Sequence, residues 1–157
     1  MTMTRQSDQS IVDSATHRCK DSGARLTVKR EQILRVLLQQ QKPMSAYEIL
    51  DIYNQQAEQT MPPMSVYRIL EFLAQHQLVH RLESQNKFVA CSHIHEQCHH
   101  QVSQFLICQN CQSVEEITIP QHLIDEIDNR AQQVGYHLLS PQLELSCLCK
   151  DCKQSQK

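Results

Sequence analysis

The sequence predicts an α+β fold in two parts: a winged helix-turn-helix domain over residues 1–90, then a smaller α+β domain with a four-cysteine zinc site. Three observations predict it. Amphipathic helical segments fill the first part and close on a hairpin pattern at 78–90, LVHRLESQNKFVA. Two knuckles, Cys108-x-x-Cys111 and Cys149-x-x-Cys152, flank a mixed strand and helix insert. Residues 91–111 hold four cysteines and four histidines, the thiolate and imidazole donors that tetrahedral zinc takes.

The composition narrows the class further. With 40% hydrophobic and 20% charged residues the chain reads as globular, and with no Trp its cores must rest on Leu, Ile and Val. No apolar run approaches the roughly 18 residues of a membrane span, and MTMTRQSDQS has no signal-peptide character. A cytoplasmic location is therefore expected, and there eight cysteines point to metal rather than disulfides. The net charge of -2 hides an asymmetry: residues 1–90 carry 11 Lys and Arg against 9 Asp and Glu, residues 91–157 carry 4 against 8.

Residues 1–10 are polar and read as frayed. Ile11, Val12, Ala15 and Cys19 predict a helix from about Asp8 to Lys20, ended by Asp21-Ser22-Gly23. Thr27 is placed to cap a second helix with the stripe Ile33, Leu34, Leu37, Leu38, which Lys42-Pro43 stops. Ser45-Ala46-Tyr47-Glu48 fits a capping box for a third, buried through Ile49, Leu50, Ile52 and Tyr53. After Pro62-Pro63, Ser65 is placed to cap a fourth helix, with Val66, Ile69, Leu70 and Leu73 on its core face. Tyr67, Arg68 and Glu71 then face outward. The first residues of a recognition helix are those that meet base edges. Arg68 suits guanine O6 and N7, and the Tyr67 ring suits a thymine methyl; the plain alternative is a solvated polar face. Strands on either side of Ser84-Gln85-Asn86 would make the wing, and Arg25, Lys29 and Arg30 would supply phosphate contacts.

In the second part, strands are expected at 105–107 and 114–119, a helix after Pro120 carrying Leu123, Ile124, Ile127, Ala131 and Val134, Gly135 at its C-cap, and a strand pair at 136–139 and 143–146. Cys108, Cys111, Cys149 and Cys152 would close one tetrahedral zinc site with no open position, with Cys147 as the substitute ligand. A redox Cys-x-x-Cys is the rival, disfavoured by the two copies and the absence of a βαβ pattern. His80, Cys91, His93, His95, Cys98, His99, His100 and Glu116 remain as candidates for further sites. No His-Glu-x-x-His helix or deaminase pairing accompanies them, which argues against an enzyme.

The segments RLTVKREQIL, SAYEIL, SVYRILEFL and LVHRLES, with the paired knuckles, resemble the ferric uptake regulator family, and within it the zinc-sensing branch. The resemblance runs over most of the chain from Arg25. It implies a winged-helix DNA-binding domain at 1–90, a hinge and metal-binding loop at 91–104, and a dimerisation and metal-binding domain at 105–157. It assigns the four knuckle cysteines to a structural zinc. It assigns His80, Cys91, Glu116 and one of His99 or His100 to a regulatory zinc, two ions per chain, with His93 and His95 left over for a third site. DNA contacts fall to Tyr67 and Arg68, with Ser65, Tyr47 and Arg25 beside them. The implied function is a homodimeric, zinc-responsive transcriptional repressor of metal-uptake genes that binds double-stranded operator DNA, with Zn2+ as co-repressor. The alternatives are an iron- or peroxide-responsive regulator of the same family and a zinc hydrolase.

Overall fold

The computed structural model describes residues 3–40, 42–95 and 101–155, in two compact units, Met1–Glu96 and Gln97–Lys157. In the first, α1 (Met3–Asp21) buries Val12, Ala15 and Cys19. It begins ahead of the expected start near Asp8, because a polar helical turn leaves no apolar period in the sequence to betray it. Gly23, at φ 74, ends it: Ala24 N–H donates to Cys19 O and Gly23 N–H to Lys20 O, the left-handed closure that glycine allows.

The three-helix core follows from the apolar phases. In α2 (Val28–Gln40) the Thr27 carbonyl accepts the first turn's bond from Glu31 N–H, and Ile33, Leu34, Val36 and Leu37 are buried. In α3 (Ala46–Gln56) the capping box is present: Ser45 N–H donates to Glu48 Oε2 at 2.7 Å and Glu48 N–H to Ser45 Oγ at 3.2 Å. In α4 (Pro63–Gln75), Val66, Leu70 and Leu73 are buried. Here the expected Ser65 cap is corrected. Pro62 is the N-cap residue and makes no side-chain cap; Pro63 starts the helix, where its missing N–H costs nothing and its fixed φ already fits, so Ser65 falls inside the first turn.

The wing, β1 (Val79–Leu82) and β2 (Lys87–Ala90), pairs antiparallel with His80 opposite Val89, and Asn86 takes φ 50 in the turn. Met44 adds a one-residue bridge to it: Met44 N–H donates to Phe88 O at 3.0 Å and Phe88 N–H to Met44 O at 2.7 Å. Lys42-Pro43 thus does more than stop α2, since it turns the chain onto the wing.

The second unit is a three-stranded sheet in the order β4-β3-β5, from β3 (Gln101–Cys108), β4 (Val114–Pro120) and β5 (Glu144–Cys147), with α5 (Gln121–Gln133) and α6 (Lys150–Gln154). Its β3 runs antiparallel to β4 and parallel to β5. Gly135, at φ 85, closes α5 as expected, with Tyr136 N–H on Ala131 O and Gly135 N–H on Gln132 O. The expected strand at 136–139 is absent: its expected partner, now β5, pairs in parallel with β3 instead, and Leu138 N–H goes to Asp128 Oδ1. The expected core face of α5 is also corrected. Ile124 is buried, whereas Leu123 and Ile127 are 41% and 39% exposed and Val134 is 71%, because a single helix over a small sheet covers only a narrow line of contact. The buried amide of Gln104 braces the return loop, donating to Pro141 O and accepting from Leu143 N–H.

Candidate metal centre and nucleic-acid face

The parallel pairing of β3 with β5 explains how knuckles with 37 residues between them meet. Cys108 ends β3 opposite Cys147, so both chains leave the sheet at the same end. The first knuckle is the hairpin loop between β3 and β4, closed by Gln112 N–H on Cys108 O, with Gln112 at φ 61. In the second, Cys149 is the N-cap residue of α6 and Cys152 lies within that helix. The sulfurs of Cys108, Cys111, Cys149 and Cys152 lie within 4.8 Å of one another.

That spacing fits a metal and not a disulfide. A tetrahedral zinc with bonds of about 2.3 Å has sulfur-to-sulfur edges of roughly 3.8 Å, and Cys111 Sγ lies 3.7 Å from Cys149 Sγ; a disulfide needs about 2.05 Å. The backbone also favours thiolate. The amides of Cys111, Cys149 and Asn110 hold Cys108 down at about 6. The Ser113 hydroxyl and amide lower Cys111. Cys152 is pushed up to about 12: the Asn110 side chain favours its thiolate, but the Cys149 sulfur, burial and the Cys111 and Cys108 sulfurs outweigh it. Such a crowd of sulfurs cannot all be ionised unless a cation joins them. Cys147 is not among the four.

Of the remaining candidates, His80 and Cys91 come together in the first unit, with ligand atoms within 4.8 Å. His80 sits on β1; Cys91 follows β2, buried, its N–H on Leu78 O. Glu116 lies on β4 opposite Phe105, where Ser103 Oγ donates to its Oε1 at 2.6 Å. His99 and His100 lie outside the described residues. His95 Nδ1 is hydrogen-bonded to Ser14 Oγ at 2.8 Å.

The proposed DNA-facing residues cluster at helix starts. Arg68 and Glu71 are exposed on α4, Tyr67 is 38% exposed and Tyr47, on α3, 60%. The two tyrosine rings meet edge to face at 6.4 Å. Arg30 is occupied differently from expectation: its guanidinium lies 3.4 Å from the centre of the Phe72 ring and donates to Arg25 O, whereas Arg25 and Lys29 of the same turn are exposed. Sequence reasoning passed over Val28 and Met64, 71% and 65% exposed in the first turns of α2 and α4. The signal was there, since each is a large apolar residue off the core phase of its helix.

A winged helix-turn-helix followed by an α+β unit with four clustered cysteines defines a winged-helix protein with a four-cysteine site that could hold zinc. The chain belongs to the ferric uptake regulator family, whose model matches residues 21–146. It is 33% identical over 150 residues to the zinc uptake regulation protein of Escherichia coli K12, covering 96% of this chain and 85% of that one. It is 28% identical over 152 residues to the ferric uptake regulation protein of Helicobacter pylori 26695, covering 94% and 95%. Among solved structures, a zinc uptake regulator complexed with zinc and DNA matches with a TM-score of 0.80 at 29% identity over 99% of both chains. Holo XcZur matches at 0.77 with 36% identity, over 92% of this chain and 98% of that one. No described helix is long and apolar enough to cross a membrane.

Proposed function

We propose that this chain is a zinc-responsive, sequence-specific DNA-binding repressor of metal-uptake genes, acting in the cytoplasm as a homodimer and not as an enzyme. Residues 1–90 read DNA, the hinge and metal-binding loop starts at 91 and gives way to β3 at Gln101 and not at 105 as expected, and the unit from β3 onward dimerises and holds metal. One zinc is structural, on Cys108, Cys111, Cys149 and Cys152. A second is regulatory and takes His80, Cys91, Glu116 and one of His99 or His100, giving two ions per chain. The observation that carries zinc over iron is Cys91 beside His80, because a thiolate favours zinc over harder ions. Dimerisation is supported by the apolar surface of the second unit, where Leu123, Ile127, Val134, Tyr136 and Leu139 are exposed.

In this reading Arg68 and Tyr67 read bases, Tyr47, Ser65 and Arg25 flank them, and Met64 and Val28 add apolar surface suited to thymine methyls. Zinc supplies the charge and geometry that fix its ligands; the chain's residues supply every DNA contact. Operator-shift titration of protein with its structural site filled, against Zn2+ and separately Fe2+ without oxygen, tests the reading. Zinc is expected to raise operator affinity, and activation by iron with no response to zinc would refute it.

A further inference from the structure

We infer that Arg18 of α1 is a positioning residue for the regulatory zinc: it holds the turn from Cys91 to Ile94 in the shape that presents the Cys91 sulfur. The inference rests on the reading of His80 and Cys91 as regulatory ligands. The guanidinium forks between two pieces of chain. Its Nη1 donates to Gln77 O at 3.0 Å, in the turn between α4 and β1. Its Nη2 donates to His93 O at 3.2 Å and Ile94 O at 2.8 Å, just past β2.

The turn so held reaches the sulfur directly. His93 N–H lies 3.4 Å from Cys91 Sγ and donates to it, so the residue whose carbonyl Arg18 grips is the residue whose amide meets the ligand atom. Ile94 is buried at 4% and anchors the far side, and Ser14 adds a second tether from α1 through His95. Gln77 holds φ 55, a left-handed conformation that few non-glycine residues adopt, so its carbonyl is a fixed anchor. A planar guanidinium with five donors can serve three carbonyls on two segments at once, and a lysine ammonium on its flexible stem cannot reproduce that fork. Groups that orient a ligand commonly set metal affinity by about 10- to 100-fold.

Full-length protein with its four-cysteine zinc in place is titrated with Zn2+ against a chromophoric chelator, in wild type, Arg18→Lys and Cys91→Ser. Arg18→Lys keeps the stem and the charge. It is expected to weaken the second zinc equivalent by about 10-fold or more, with melting temperature and first zinc unchanged and operator affinity restored at saturating zinc. With Co2+ as the second equivalent, the sulfur-to-cobalt charge-transfer band is expected to shift or weaken in Arg18→Lys, which a merely stabilising contact would not cause. Wild-type zinc affinity in Arg18→Lys overturns the proposal, and so does a loss that only tracks a lowered melting temperature. If Cys91→Ser leaves the second equivalent undisturbed, the ligand assignment itself fails and takes the inference with it.

Discussion

Removing zinc from the four-cysteine centre should unfold Gln97–Lys157 and leave Met1–Glu96 folded. Among its described residues the second unit buries few large apolar side chains, among them Phe105, Ile107 and Ile124, and at about 1.5–3 kcal/mol each these three contribute roughly 5–9 kcal/mol. Structural zinc contributes on the order of 10–16 kcal/mol in small metal domains, so the ion outweighs the apolar core of its unit. The first unit has an extensive core through Ile33, Leu34, Leu37, Ile49, Leu70 and Leu73, and among its described residues no four-thiolate group stands in for one. Amide hydrogen exchange under reducing conditions, with and without a strong chelator, separates the two. Amides of β3 should lose protection as zinc leaves, while those of α2 and α4 keep theirs. Cys152→Ser should act in the same direction. Retained protection of β3 in protein shown to be free of zinc would refute the reasoning.

Acid should act on the same centre. Without metal, Cys108 is held down at about 6 from an ordinary 9.0, so its contribution to the metal-free unit is fully present above that ordinary value and is lost as pH falls through about 6; because protons compete with zinc for the four thiolates, zinc release followed with a chromogenic chelator should increase as pH falls, and release that does not depend on pH would contradict it. Arg68→Ala should weaken operator binding by about 1–3 kcal/mol and relax selectivity at one base pair, with an unchanged melting temperature because Arg68 is exposed; uniform weakening across all sequences would make it a phosphate contact instead. Ser45→Ala should destabilise the first unit by about 1 kcal/mol, read by denaturant melts, since the capping box loses its hydroxyl; an unchanged midpoint would show the Glu48 half suffices.

What the sequence made legible was whatever local chemistry dictates. The Ser45 and Glu48 pair, Gly23 and Gly135 at helix ends, the hairpin at Asn86 and the buried faces of α2 to α4 each follow from residues close along the chain. The paired knuckles were legible as candidate ligands from residue type and spacing, while the parallel β3–β5 pairing that brings them together was not. The rest depended on partners that a local pattern cannot name. The Met44 bridge to Phe88 involves a single residue on one side, too short for any period. Residues 136–139 have strand character, but the segment expected to pair with them forms β5 alongside β3 instead. Much of the apolar face of α5 looked like core because apolar residues at helical spacing do not say which neighbour covers them.

If Cys91 is a ligand of the proposed regulatory zinc, its backbone tie to α4 bears on how that zinc would act. Leu78 N–H donates to Leu73 O in the last turns of α4, and Cys91 N–H donates to Leu78 O at 3.0 Å. Two backbone hydrogen bonds therefore link Cys91 to α4 through one buried residue. With so stiff a connection, an ion on Cys91 cannot reshape the helix without breaking the core around Leu73 and Leu78, both fully buried. On the proposed ligand set, zinc would then act by fixing an already formed head, a selection among states and not a refolding. Moving operator binding from 1:99 to 99:1 requires a preference of about 5.5 kcal/mol for the competent state, which the whole ligand set would have to supply. It follows that amide exchange rates and chemical shifts within α4 should be nearly the same with and without the second zinc equivalent, while operator affinity changes by orders of magnitude. Large zinc-dependent changes inside α4 would show instead that the head itself is the switch.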